Sequence, residues 1–224
     1  MPQPLELAIP TADDRTLAAH LYEPVGEPVA QVIIHGATAT PQRYYGSFAR
    51  HLAWRGFRVL TYDYRGIGCS RREPLADERV TMDGWREDAM AAQAWLVNRE
   101  PERPLLAIGH SFGGQIAATV DAGRRPQALL LVASGSGFWR GYAPAQRPRL
   151  WLTWTVAMPL FARAFGYIPG WAGLGEDLPA GVARQWARWC LHPEYFLGER
   201  PELRERLATY DGRVLSLGFA DDGF

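Results

Sequence analysis

The chain is poor in cysteine. Cys69 and Cys190 are its only two, too few for a disulfide framework and without the CxxC spacing of a metal or redox site, so both read as ordinary thiols. It also lacks net charge: 24 basic side chains balance 24 acidic ones, and nothing global draws the protein to nucleic acid or to an anionic membrane. Any partner has to be sought locally. Met1 to Pro10 carries three prolines and Glu6 but no basic start followed by an apolar stretch, which excludes a secretory signal there and points to a cytoplasmic protein. Long apolar runs are missing as well. The uncharged stretch from Leu150 to Ala162 contains Thr153, Thr155 and Pro159 and ends at Arg163, too short to span a bilayer, so no transmembrane segment is expected. No fixed-period repeat or low-complexity linker divides the chain. These absences leave one globular core of ordinary composition, 224 residues long and 47% hydrophobic, with room for an insertion.

Three apolar runs, Val29 to Ile34, Leu105 to Ile108 and Ala128 to Val132, are continuous rather than alternating. That pattern belongs to parallel strands covered by helices on both faces. Phe57 to Tyr62 fits as a further strand, Leu5 to Ile9 and Leu17 to Tyr22 as an edge hairpin turning at Asp13-Asp14, and Arg213 to Leu217 as the last strand. Thr40 and Pro41 can open a helix that buries Tyr45, Phe48 and Leu52 and stops at Gly56. Met82, Trp85, Ala89, Ala92 and Leu96 share one face of a second helix, which ends before Pro101, and a third runs from Ser111 to near Gly123. Alternating strands and helices imply right-handed crossovers and an open, mostly parallel α/β sheet. Some 80 residues between the strands near 132 and 213 exceed any ordinary loop and read as a helical cap over the active site. The expected organisation is a core over 1–135, a cap over 136–205 and a core strand carrying an acid over 206–224. Trp139, Trp151, Trp154, Trp171, Trp186 and Trp189 all fall in the cap, where they serve either as packing or as an apolar wall for an acyl or aromatic group.

Gly109-His110-Ser111-Phe112-Gly113 follows an apolar strand and opens a helix, the context that a G-x-S-x-G nucleophile elbow requires. The need is steric: only glycine lets strand and helix backbones pass closely around a serine on a strained turn. A serine hydroxyl needs a base to become a nucleophile, and the oxyanion that forms needs fixed donors. The Phe112 N–H at the start of the helix is one expected donor, and the Ala37 N–H in His35-Gly36-Ala37-Thr38 is the other. His35 reads as a structural hydrogen-bonding residue rather than a catalyst, because it lies on the wrong strand for the order serine, acid, histidine. By the same order the acid follows Arg213 to Leu217, where Asp221 and Asp222 stand.

With these residues the chain resembles the α/β-hydrolase superfamily, in particular its branch of serine aminopeptidase-like and lysophospholipase-like hydrolases. Asp63-Tyr64-Arg65-Gly66-Ile67-Gly68-Cys69-Ser70 resembles the D-x-R-G-x-G-x-S segment after the fourth strand of these enzymes, and 166–170 and 175–179 resemble cap motifs of that branch. The resemblance implies Asp222 as the acid, with Asp221 as the alternative. It also implies a histidine on a later loop, yet His20, His35, His51, His110 and His192 all precede Asp222. A truncated α/β-hydrolase fold is therefore expected, with its final strand and helix missing. The expected function is a serine hydrolase that forms an acyl-enzyme on Ser111 with a small-molecule carboxylic ester or related acyl substrate. No metal or organic cofactor is implied, and the sequence is silent on oligomeric state. A non-catalytic binding protein and an acyltransferase stay open as alternatives. Dehalogenase and epoxide hydrolase chemistry are disfavoured, since their relatives carry aspartate where this chain has Ser111.

Overall fold

A computed structural model describes residues 3–220. Strands β1 (Leu5–Pro10) and β2 (Thr16–Tyr22) form the antiparallel hairpin, and β3 (Ala30–His35) and β4 (Phe57–Tyr62) follow around helix α1 (Gly46–Trp54). Helix α2 (Met82–Arg99) leads to β5 (Leu105–His110), the short helix α3 (Phe112–Ala117) and β6 (Ala128–Val132). An insert then carries α4 (Arg147–Leu152), α5 (Met158–Ala164), a two-stranded ribbon of β7 (Tyr167–Ile168) and β8 (Leu178–Pro179), α6 (Ala180–Leu191) and α7 (Leu203–Ala208) before β9 (Arg213–Leu217).

The main sheet has the order β1-β2-β4-β3-β5-β6-β9. Only the pairs β1/β2 and β2/β4 are antiparallel, so the sheet is mostly parallel, with the hairpin at one edge and β9 at the other. β3 is buried along its whole length, as its unbroken apolar run requires. The two faces are covered differently. One large cluster joins Ile33, Leu60, Trp85, Ala89, Phe112 and Ile116 to the insert residues Trp154 and Trp186. A smaller cluster packs Tyr45, Ala49 and Ala53 against Val32, Ile34 and Val59.

That smaller cluster corrects the expected face of α1. Tyr45, Ala49 and Ala53 go inward, whereas Phe48 is exposed and Leu52 only half-buried. Small residues win because the helix lies close to the sheet: a Cβ on Gly46 would already sit 3.2 Å from the Tyr22 hydroxyl. Thr40 does not cap this helix, since its hydroxyl donates to the Thr38 carbonyl at 3.2 Å, and the first turn, Gln42–Tyr45, is 3-10. α3 is shorter than expected. It stops at Ala117, and the following Thr119 donates both its N–H and its hydroxyl to the Ile116 carbonyl, at 2.7 Å each.

The Asp63 to Ser70 segment is a folded brace. The Asp63 carboxylate accepts from the Gln42 N–H at 2.6 Å and the Cys69 N–H at 2.9 Å, while Ser70 Oγ donates to the Asp63 carbonyl at 2.7 Å and accepts from the Ala18 N–H at 2.8 Å. Arg65 is bound to the buried Asp88 through its backbone N–H at 2.9 Å and its Nε at 2.7 Å. The brace ties the hairpin, β4 and α2 together beneath the loops at the C-terminal ends of the strands.

Candidate active site

Ser111 occupies the turn between β5 and α3 with φ 51° and ψ −118°, a conformation that residues bearing a side chain rarely adopt. Its N–H donates to the Val132 carbonyl at 2.9 Å, and its carbonyl accepts from the N–H groups of Gly114 at 3.0 Å and Gln115 at 3.1 Å. The turn is pinned from both sides. A Cβ on Gly109 would collide with the Gly114 backbone, and one on Gly113 with the His35 carbonyl. Both glycines of the motif are thus required by close backbone approach.

Ser111 lines a cavity of about 770 Å³ whose wall also includes Ala37, Thr38, His110, Phe112, Gln115, Tyr142, Leu174, Trp186, Tyr195 and Leu217. Among the described residues that wall holds no Asp, Glu, Lys or Arg. Among the described residues the Phe112 N–H meets no acceptor. The Ala37 N–H, by contrast, is engaged: it donates to the Tyr45 hydroxyl at 2.8 Å, and that hydroxyl lies 3.0 Å from His110 Nδ1. Burial pushes the Tyr45 phenol up to about 12, so it stays protonated across the working range. Asp221 and Asp222 lie outside the described residues.

The histidines divide clearly. His35 is fully buried with Nδ1 2.8 Å from the Tyr62 hydroxyl, and burial pulls it down to about 4, in keeping with a structural role. The His192 ring accepts the Glu194 N–H at 3.2 Å and packs against Gly198, away from the cavity. His110 shares the cavity wall with Ser111, packed between Tyr44 and Tyr45. Among the described residues no imidazole is hydrogen-bonded to the Ser111 hydroxyl.

The insert's tryptophans divide three ways. Trp154 and Trp189 are buried, Trp186 packs on Trp154 at 4.9 Å and faces the cavity, and Trp151 and Trp171 point to solvent. Three site features escape the sequence reading. Tyr45 holds Ala37 through a contact that no motif signals. Tyr195, buried with φ 52°, accepts from Trp186 Nε1 at 3.1 Å in the cavity wall. Glu176, inside a recognised motif but without an assigned role, fastens the insert to the core: its N–H donates to the Ala39 carbonyl at 2.9 Å, and its carboxylate accepts from the Gly68 N–H at 3.1 Å and from Arg43.

A family profile described as "Serine aminopeptidase, S33" matches residues 27–174. The lysophosphatidylserine lipase ABHD12 of Danio rerio is 37% identical over 81 residues, covering 34% of this chain and 20% of that protein. Protein ABHD12B of Homo sapiens is 30% identical over 122 residues, covering 51% of this chain and 31% of its own length. The chain thus spans less than a third of either curated relative. Among solved structures, a hydrolase from Pseudomonas aeruginosa PA01 superposes with a TM-score of 0.59 at 22% identity, covering 96% of this chain and 80% of that one. That likeness speaks for the fold alone.

Proposed function

Because the chain belongs to the S33 serine aminopeptidase family of α/β-hydrolases, we propose that it is a serine hydrolase in which Ser111 attacks the carbonyl carbon of a carboxylic ester or related acyl group. The observation that carries this reading is the strained Ser111 turn opening on the cavity with the Phe112 N–H left free beside it. Such strain persists only where the surrounding structure over-determines it, and it clusters at active sites. In the proposed mechanism the serine proton passes to an imidazole as the Oγ–carbon bond forms, and the Phe112 N–H takes the developing oxyanion. The Ala37 N–H is the second donor, and it joins once it leaves the Tyr45 hydroxyl. Asp222 orients the imidazole. The imidazolium then returns its proton to the departing alkoxide, and water repeats the sequence to release the acid.

No described histidine is bound to Ser111, so the reading takes the imidazole from a longer form of the polypeptide. A cavity wall without Asp, Glu, Lys or Arg among the described residues favours a neutral acyl chain, such as a medium-length ester or a lysophospholipid. A peptide with a free amino terminus would call for a carboxylate to meet its ammonium, and the described wall offers none. The insert acts as the cap that shields this chain from water.

The test treats two forms with a fluorophosphonate probe: this chain, and the product of the same reading frame continued past codon 224. Labelling of the longer form that vanishes in Ser111→Ala is expected, together with turnover of p-nitrophenyl esters. Labelling that survives Ser111→Ala defeats the assignment. A second reading, a non-catalytic binding protein, is favoured by the absence of a Ser111–imidazole contact among the described residues. It prevails if neither form labels.

A further inference from the structure

The continuous helical stretch from Arg147 to Ala164, in which α4 and α5 are joined by a π turn over Thr153–Ala157, is apolar on the side that faces water as well as on the side that faces the core. Leu150, Trp154, Met158 and Ala162 form its buried stripe at a spacing of four residues. The opposite side should then be polar. Instead it presents Leu152, Val156 and Leu160, also four apart, with Leu152 53% and Leu160 61% exposed, and Trp151 beside them. The two threonines there soften nothing: the Thr153 hydroxyl donates back to the Arg149 carbonyl at 2.9 Å and the Thr155 hydroxyl to the Trp151 carbonyl at 2.6 Å. Beyond the helix the apolar surface continues. Trp171, 72% exposed, stands edge-on to Phe161 at 5.4 Å and to the exposed Phe165 at 6.2 Å.

Charge completes the description. Between Asp121 and Glu176 the chain has no acidic residue, and the insert up to Gly175 carries Arg140, Arg147, Arg149 and Arg163. Among the described residues none of these four is in an ion pair. In a chain of zero net charge, Arg147 and Arg149 at one end of this helical stretch and Arg163 at the other thus flank the exposed apolar face without an ion-pair partner among the described residues. Aromatic and aliphatic side chains flanked by arginines, on a helix too short to span a bilayer, match a segment that lies in the headgroup plane.

We propose that this face docks on an anionic phospholipid surface, with Trp151, Leu152, Val156, Leu160 and Trp171 entering the acyl boundary and the arginines meeting lipid phosphates. The insert also supplies Tyr142, Gly173 and Leu174 to the wall of the Ser111 cavity, so docking sets that cavity beside the bilayer. The proposal stands independently of any chemistry at Ser111.

Sedimentation with vesicles of phosphatidylcholine and phosphatidylglycerol at 7:3, against phosphatidylcholine alone, tests it. Binding is expected to the mixed vesicles and to weaken as salt rises. At about 1 kcal/mol for each arginine near an anionic surface, the combined Arg147→Gln, Arg149→Gln, Arg163→Gln variant should bind about a hundredfold more weakly. The combined Leu152→Glu, Val156→Glu, Leu160→Glu variant should also lose binding while keeping its thermal midpoint. With the wild-type protein, bromine-labelled acyl chains should quench fluorescence that Trp151→Phe, Trp171→Phe removes. The proposal is overturned by a protein that binds neither vesicle, by binding that the apolar variant leaves intact, or by an absence of quenching. It is also overturned if ultracentrifugation shows a dimer that Leu160→Glu splits, because a second copy would then cover the face.

Discussion

The Ala37 N–H and the Tyr45 hydroxyl, eight residues apart in sequence, are joined by a 2.8 Å hydrogen bond across the turn that follows β3. An amide proposed to hold an oxyanion is thus occupied in the resting protein. Replacing Tyr45 by Phe removes that acceptor. Amide exchange at Ala37 should then speed up, and stability should fall by about 1 kcal/mol for the lost buried bond. Recovering about the same amount on the way to the transition state, Ser111 in the catalytically complete form should label about fivefold faster. Slower labelling would mean that the hydroxyl aligns the loop rather than competing for it.

Ser111 stores strain at φ 51° and ψ −118°. Glycine adopts this region without the steric penalty, so Ser111→Gly should be more stable than the wild type by about 1 kcal/mol, a rise of roughly 3 °C in Tm. Calorimetry showing an unchanged or lower Tm would remove the argument from strain.

Not every glycine in this fold is there for the same reason. Gly113→Ala forces a methyl into the His35 carbonyl and should cost about 3 kcal/mol or more, visible as loss of soluble protein. Gly123 has φ 79° but nothing within 4 Å of an added Cβ, so Gly123→Ala should cost only about 1 kcal/mol. Equal effects in urea titrations would contradict the close approach at Gly113.

The neutral imidazole of His35 is what the interior tolerates. Its value falls from 6.5 to about 4 on burial, so between those limits the unfolded chain binds the extra proton. Stability from this group is complete above about pH 6.5 and is lost as the pH falls toward 4, by about 3 kcal/mol in all. The difference in unfolding free energy between wild type and His35→Asn should shrink by that order over the same range. A difference that stays constant with pH would refute the assignment.

What could be read in advance follows from how local the determinants are. The unbroken apolar runs mark β3, β5 and β6 to within a residue or two, and the Gly-x-Ser-x-Gly spacing locates the Ser111 turn, because each depends on neighbours in sequence. The buried face of α1 is not legible in the sequence for the opposite reason. Hydrophobicity ranks Phe48 above Ala49, but distance to the sheet decides, and distance is a tertiary quantity. Tyr45 and Glu176 were invisible as site residues because they act on backbone N–H and carbonyl groups, which leave no trace in residue type. The Glu176 to Gly68 contact spans 108 positions.

Glu176 fixes more than a loop. One residue grips the Ala39 carbonyl, the Gly68 amide and the Arg43 side chain, and the neighbouring Asp177 adds an ion pair to Arg71 at 3.0 Å. That end of the covering segment is stitched to the floor and cannot swing upward without tearing four attachments. The Ser111 cavity is lined at Leu174 and Gly173, two and three residues from Glu176, so the same stitching holds that stretch of its wall in place. Cutting the stitches with Glu176→Ala should loosen that wall before it disturbs the turn at Ser111.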